Sequence, residues 1–187
     1  MESNTIRLKL YEKMPKDCIF IIDDFISEED CDEIIKKIDL NATTEHVMVN
    51  QTTNVKAKVV GCDIDLELTN KYMVERLRAL CDELYSKHKL PLKSFYTVEF
   101  KRIYGPTKLH MDYTYHESPA DLRCLSAIVA LNSNYEGGEL IFPVQNRTIK
   151  LKRGQLIAFP PYWTHPHYTN DLKNDTFRYT ATVWFAQ

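Results

Sequence analysis

Phe177-Arg178-Tyr179-Thr180-Ala181-Thr182-Val183-Trp184-Phe185 reads as a β-strand, because β-branched and aromatic residues dominate it and no glycine or proline interrupts it. Arg178 stands apart as a fixed cation at the start of an otherwise apolar run. A buried arginine needs an anionic partner. Where no protein carboxylate meets it, a ligand carboxylate is the natural partner for a fork-shaped, charge-assisted pair. Alternation along the strand puts Thr180 and Trp184 on the face that Arg178 occupies.

Working backward from this strand, residues 94–104, 108–114, 123–132, 139–143, 147–152, 155–159 and 163–169 carry the same short, β-rich pattern. Turns at Gly137-Gly138 and Lys152-Arg153-Gly154 separate several of them. With 177–186 this makes about eight strands, the spacing of a jelly roll or small barrel. The first half differs. Cys18-Ile19-Phe20-Ile21-Ile22 is a short buried strand. Ser27 is an N-cap before Glu28, Glu29 and Asp30, and Ile34, Ile35 and Ile38 follow at helical spacing, which predicts a helix over 28–39. Thr69 or Asn70 caps a second predicted helix that ends near Lys87-His88, with Met73, Val74, Leu77, Leu80, Cys81 and Leu84 as its apolar stripe. Residues 41–63 read as irregular or edge strands. The expected class is mostly β with flanking helices, in one domain over 1–187 with 1–93 as N-terminal helical support.

The 187 residues suffice for one domain with a real core. Apolar residues make up 44% and charged residues 27%, the range of a soluble globular protein. A net charge of -2 offers no basic excess for a phosphate backbone, so nucleic acid is not the expected partner. The five cysteines, Cys18, Cys31, Cys62, Cys81 and Cys124, are scattered and form no Cys-x-x-Cys pair, which argues for free thiols in a reducing compartment. Neither a signal region nor a membrane-spanning run is present, and the expected setting is cytoplasmic without a membrane partner.

His110-Met111-Asp112 follows a bend signalled by Gly105-Pro106. On extended backbone the imidazole and the carboxylate aim at a common point, two thirds of the facial site of two histidines and one carboxylate that suits iron(II). The run Pro160-Pro161-Tyr162-Trp163-Thr164-His165-Pro166-His167 offers two candidates for the third ligand, His165 and His167, which periodicity cannot separate. His46 and His88 have no such partners and read as surface residues, and His116 as an exposed loop residue. The polar segments 41–63 and 113–122 are candidates for a lid.

The ordered set His110-x-Asp112, Arg123-Cys124-Leu125-Ser126, Leu131-Asn132, Gly137-Gly138-Glu139-Leu140, Pro166-His167 and Arg178-Tyr179 resembles the prolyl 4-hydroxylase group of iron(II)/2-oxoglutarate dioxygenases, most of all the hypoxia-inducible-factor type. The resemblance covers residues 95–187, and 18–39 look like the strand-then-helix opening of the wider group. It implies a double-stranded β-helix (cupin-like) core, with 94–187 as the catalytic β-helix, and His110, Asp112 and His167 as metal ligands, with His165 as the fallback. It implies Arg178 at the far carboxylate of 2-oxoglutarate and Thr180 or Trp184 in the same pocket. Ser126, Ile128 and Leu140 would be other wall positions, and Tyr104 would offer its hydroxyl to the cosubstrate. The implied reaction consumes iron(II)-bound 2-oxoglutarate and dioxygen, leaves room for L-ascorbic acid, and hydroxylates a prolyl residue in a protein or peptide. Lysyl residues, a small metabolite, a zinc-type hydrolase and a non-catalytic binding module are the alternatives. One departure stands out. Where the hypoxia-type enzymes place a cosubstrate-binding tyrosine two residues before Asn132, this chain has Ala130. Either another hydroxyl takes that role or 2-oxoglutarate is held with fewer contacts.

Overall fold

The computed structural model describes residues 13–42, 44–47, 56–113 and 122–187. In chain order the elements are β1 (Phe20–Ile22), α1 (Glu28–Asn41), β2 (Thr44–Val47), β3 (Lys56–Val59), α2 (Cys62–Leu68), α3 (Val74–His88), β4 (Ser94–Phe95) and β5 (Glu99–Ile103). Then follow β6 (Arg123–Ala130), β7 (Glu136–Gly137), β8 (Leu140–Phe142), β9 (Arg147–Ile149), β10 (Leu156–Phe159), β11 (Tyr168–Thr169), β12 (Leu172–Lys173) and β13 (Arg178–Ala186).

Two antiparallel sheets face one another, the double-stranded β-helix that the resemblance implies. The major sheet runs β1-β10-β6-β13-β5-β3-β2, with β4 also paired to β13. The minor sheet is β11-β8-β9. The segment before His110 extends it along β11, because the Thr169 N–H donates to the Thr107 carbonyl and His110 and His167 exchange both backbone hydrogen bonds. The first 93 residues give the major sheet β1, β2 and β3 as well as the helices.

Period-two alternation decides which side of the major sheet is core and which is site. Leu125, Ala127 and Val129 of β6 and Ala181, Val183 and Phe185 of β13 belong to one buried cluster with Ile34 and Ile38 of α1 and Leu77, Leu80 and Leu84 of α3. The intervening residues of the same strands, Ile128 and Ala130 on β6 and Arg178, Thr180, Thr182 and Trp184 on β13, line a cavity between the sheets. A smaller apolar cluster, including Leu140, Phe142, Ile149, Leu151, Ile157 and Phe159, closes the interior beside it. Each of these fully buried side chains contributes about 1.5–3 kcal/mol.

Helix α1 begins as expected, with the Ser27 hydroxyl accepting the Asp30 N–H at 3.0 Å. The second helical segment starts seven residues before the predicted cap. Asp63 and Asp65 occupy the first turn of α2, where the helix dipole favours acids. Thr69 is interior, the first residue of a π-helical turn over Thr69–Met73 that joins α2 to α3. That wider turn shifts the helix face by one residue, so Leu68, Tyr72 and Met73 stay buried in line with Leu77. His88 is not simply a surface residue, since its ring lies 5.3 Å from that of Phe20. His116 and the side chain of His46 lie outside the described residues, as does most of 113–122 and much of 41–63. Cys18, Cys31, Cys81 and Cys124 are free thiols, as expected. Among the described residues, no helix is long and apolar enough to cross a membrane.

Asp65 marks where α2 meets the cavity. Its carboxylate accepts the Phe100 N–H at 3.2 Å. Burial, reinforced by the nearby Glu99 charge, pushes its pKa up to about 6 despite that hydrogen bond. A carboxyl whose pKa is raised on folding costs stability as pH rises from its unfolded value through about 6. Asp65→Asn keeps an acceptor for Phe100 and is expected to raise stability above pH 6 by about 1 kcal/mol, after discounting for partial solvent access. Melting curves at pH 7.5 and pH 4 check this. The gain should be present at the higher pH and gone at the lower, and an equal gain at both would contradict the assignment.

Candidate metal centre and cosubstrate cavity

The strand following Gly105-Pro106 is shorter than expected, only a bridge at His110 rather than 108–114, among the described residues. The bridge suffices to fix the geometry. The His110 N–H donates to the His167 carbonyl at 3.0 Å, and the His167 N–H returns to the His110 carbonyl at 2.9 Å. The two imidazole rings stand 4.4 Å apart between centroids. Phe142 and Phe159 pack against the His167 ring at 5.4 and 4.8 Å and hold its orientation.

Asp112 completes the group. Its Oδ1 lies 3.3 Å from His110 Nε2 and 3.7 Å from His167 Nε2. The three ligand atoms fall within 4.8 Å of one another. The opposite ring nitrogens are already committed. His110 Nδ1 meets the Lys108 carbonyl at 2.8 Å and His167 Nδ1 meets the His165 carbonyl at 3.1 Å. A carbonyl can only accept, so both Nδ1 atoms carry hydrogens and both Nε2 lone pairs face the carboxylate. This outer hydrogen bonding is the arrangement that orients metal-bound histidines. Two imidazole nitrogens and one carboxylate on one side of a point suit iron(II) and leave further coordination positions free.

The electrostatics agree. Burial opposes ionisation of Asp112, but the His110 hydrogen bond and the two imidazoles outweigh it and hold its carboxyl well below the usual carboxylate range. Burial lowers the His167 pKa and keeps that ring neutral. Burial also opposes the charge on His110, yet its contact with Asp112 raises it overall. The Arg123 guanidinium donates to the Asp112 carbonyl at 2.9 Å and lies 3.9 Å from the Trp184 ring, so it braces the ligand against β13.

His165 stands apart from this group. One of its ring nitrogens meets the Thr164 hydroxyl at 2.9 Å and the other the Asp17 carbonyl at 2.8 Å. Strand alternation fails here because residues 162–165 form a turn, closed by the His165 N–H on the Tyr162 carbonyl. Pro160, Pro161 and Pro166 withhold the donors that a strand from 163 would need.

The cavity beside the three residues is about 400 Å³. His110, Asp112 and His167 line it, and so do Arg178, Thr180, Ile128, Leu140 and Trp184. Ser126 is fully buried but is not part of the lining. Tyr104 is not part of it either, because the lining positions at the end of β5 are Lys101 and Ile103. Arg178 donates from Nη1 to the Gly138 carbonyl at 2.9 Å, while its Nε is buried without a partner. Burial pulls its pKa down, and Tyr135 is the one ionisable neighbour that opposes this. No carboxylate pairs with it among the described residues. The Thr180 hydroxyl and the Trp184 indole nitrogen, on the same face, also lack partners. The unpartnered Arg178 Nε, Thr180 hydroxyl and Trp184 indole nitrogen beside a facial set of ligands suit an anion that also reaches the metal.

Gly137 and Gly138 allow this approach. Both adopt left-handed φ, +71° and +66°. A Cβ on Gly137 would lie 2.0 Å from the Asp171 carbonyl oxygen, and one on Gly138 would lie 2.8 Å from Leu172 and 3.3 Å from the Tyr135 ring. Tyr135, 4% exposed and part of the cavity lining, is a site residue that pattern reading missed, because it sits in the turn between Asn132 and Gly137 where no periodicity applies. Its one signal was the aromatic residue itself in an otherwise polar turn.

Residues 99–186 match the family model described as the 2OG-Fe(II) oxygenase superfamily. Comparison with curated proteins gives no match. Among solved structures, the fold resembles the viral collagen prolyl hydroxylase of Paramecium Bursaria Chlorella virus-1 in its 2OG complex, at TM-score 0.67 and 22% identity over 89% of this chain and 94% of that one. It also resembles a prolyl hydroxylase from Trichoplax adhaerens in complex with a hypoxia-inducible-factor peptide fragment, at TM-score 0.62 and 19% identity over 91% and 84%. A prolyl-4-hydroxylase from Pseudomonas putida is similar at TM-score 0.61 and 17% identity over 90% and 92%.

Proposed function

We propose that this chain, whose residues 99–186 match the 2OG-Fe(II) oxygenase superfamily model, is an iron(II)- and 2-oxoglutarate-dependent oxygenase that hydroxylates prolyl residues in a protein or peptide. His110, Asp112 and His167 hold the iron, and Arg178 with Thr180 holds the far carboxylate of 2-oxoglutarate. The observation that carries the reading is that the three converging ligand atoms and the unpartnered Arg178 open on one cavity. When bound, iron(II) and 2-oxoglutarate supply the oxidising power that places one atom of dioxygen into a C–H bond.

The chain's own residues do the rest by binding and orientation. The Lys108 and His165 carbonyls keep the imidazole protons on Nδ1, so Nε2 faces the metal position. Arg123 fixes the backbone of Asp112. Arg178 and Thr180 direct a dicarboxylate with its keto acid end toward the ligands. Leu140, Ile149 and Leu151 line the same cavity and keep water from the anion.

Support for a prolyl acceptor comes from the solved structures named above, which are prolyl hydroxylases. Incubation with iron(II), 2-oxoglutarate and proline-rich peptides should give peptides heavier by one oxygen, with the added oxygen on proline by fragmentation. A second reading, a lysyl or charged small-molecule acceptor, draws on Asp65 and the Glu99–Lys101 ion pair, which line the outer cavity. Lysine-containing peptides and free amino acids in the same assay separate the two. Hydroxylation of these, with none on proline, would overturn the prolyl assignment.

A further inference from the structure

Arg178 is a fully committed cation with an incomplete set of partners. Its Nη1 is used by Gly138, its Nε is unpaired, and β13 offers no acid on its cavity face. The residue that shares its surroundings is Tyr135. The two meet at Gly138, whose carbonyl accepts from Arg178 and where a Cβ would lie 3.3 Å from the Tyr135 ring. Both side chains line the cavity. The two are within electrostatic reach, since the Arg178 charge acts to lower the phenol pKa and the phenol acts to raise that of the guanidinium. On the opposite wall, the cavity position on β6 is Ala130, which brings no polar atom.

We propose that the Tyr135 hydroxyl is a further donor to the far carboxylate of 2-oxoglutarate, acting beside Arg178 and Thr180 in a cavity where Ala130 brings no polar atom. This assignment rests on the cosubstrate reading above and names the residue that completes it.

The turn is built to hold the ring. The Lys150 ammonium donates to the Tyr135 carbonyl at 2.6 Å and stands 4.8 Å from the ring centroid. It ties residue 135 to the end of β9 from outside the cavity. Burial raises the phenol pKa, so the hydroxyl remains protonated at neutral pH and can donate. The ring is positioned by packing before any ligand arrives, so the hydrogen bond forms with little ordering cost. A donor held beside an arginine also selects for charge at that end of the ligand. A monocarboxylate with a methyl group there would leave both Tyr135 and Arg178 unsatisfied.

The test is anaerobic calorimetry on the Mn(II)-loaded protein, which reads binding without turnover. Two ligands are compared, 2-oxoglutarate and 2-oxopentanoate, which carries a methyl group in place of the far carboxylate. Tyr135→Phe should weaken 2-oxoglutarate by about tenfold or more, the value of one hydrogen bond to a charged group. It should leave 2-oxopentanoate and the melting temperature as in the parent. Unchanged affinity for 2-oxoglutarate would overturn the assignment. Equal losses for both ligands would also overturn it, since they would mean that the ring only supports the turn. A parent protein that binds neither ligand overturns the cosubstrate reading itself, and the assignment with it.

Discussion

Asp112→Ala is expected to abolish iron(II)-dependent consumption of 2-oxoglutarate while leaving the protein folded. The carboxylate is the single anionic donor between the two imidazoles, with Oδ1 3.3 and 3.7 Å from their Nε2 atoms. Without it, two nitrogen ligands remain and the charge that offsets a divalent cation is gone. The loss in metal affinity should exceed the roughly 10–100-fold cost of removing an outer hydrogen-bond partner. Folding is a separate matter. The backbone pairing of His110 with His167 does not involve the Asp112 side chain. In the metal-free protein the carboxylate is itself a buried charge whose contribution depends on His110 carrying a proton. Anaerobic metal titration and melting curves measure the two effects independently. Turnover retained near the parent rate would remove Asp112 from the metal site.

Arg178→Met should have opposite effects on binding and on stability. Truncating one side of a buried charge-assisted pair costs roughly 2–5 kcal/mol, or about 30-fold to several thousandfold in affinity. The variant should therefore lose 2-oxoglutarate binding at concentrations that saturate the parent. Without ligand, Arg178 is a buried cation that no carboxylate offsets among the described residues, and burial already pulls its pKa down. Methionine of similar length fills the space without that penalty, and such replacements are often neutral or stabilising. The ligand-free variant should melt at or above the parent temperature, and added 2-oxoglutarate should no longer raise it. A variant that binds 2-oxoglutarate as the parent does would show that the anion docks elsewhere. A large fall in ligand-free stability would show instead that Arg178 serves the fold.

Arg178 was legible in the sequence because one fixed charge at the start of an apolar strand has few structural uses. His110 and Asp112 were legible because period two holds for the bridge at His110 and carries just far enough to bring both side chains to one side. The same rule failed at His165 and His167. Tyr162 to His165 turn rather than extend, so two histidines of equal parity diverge, one to the Asp17 carbonyl and one to the cavity. Tyr104 stays out of the cavity lining for a related reason. It follows Ile103, the last cavity-facing residue of β5, and its nearness to His110 in sequence does not carry it to the lining. The start of α2 was hidden by the π-helical turn, which changes the period in mid-helix and makes the apolar stripe look as if it begins at Thr69. Tyr135 could not be read at all. Its placement comes from Gly138, Lys150 and β13, which are distant in sequence or act through backbone shape.

The paired backbone hydrogen bonds between His110 and His167 have a consequence for how the protein acquires its metal. They close a long stretch of chain before any ion arrives, so the entropy of bringing two ligands together belongs to folding and not to binding. A site that is already assembled need not rearrange for a particular ion. It ranks divalent cations by intrinsic ligand preference, an order in which copper and zinc stand above iron. Selection for iron then lies outside the protein, in which ion is supplied and in what amount.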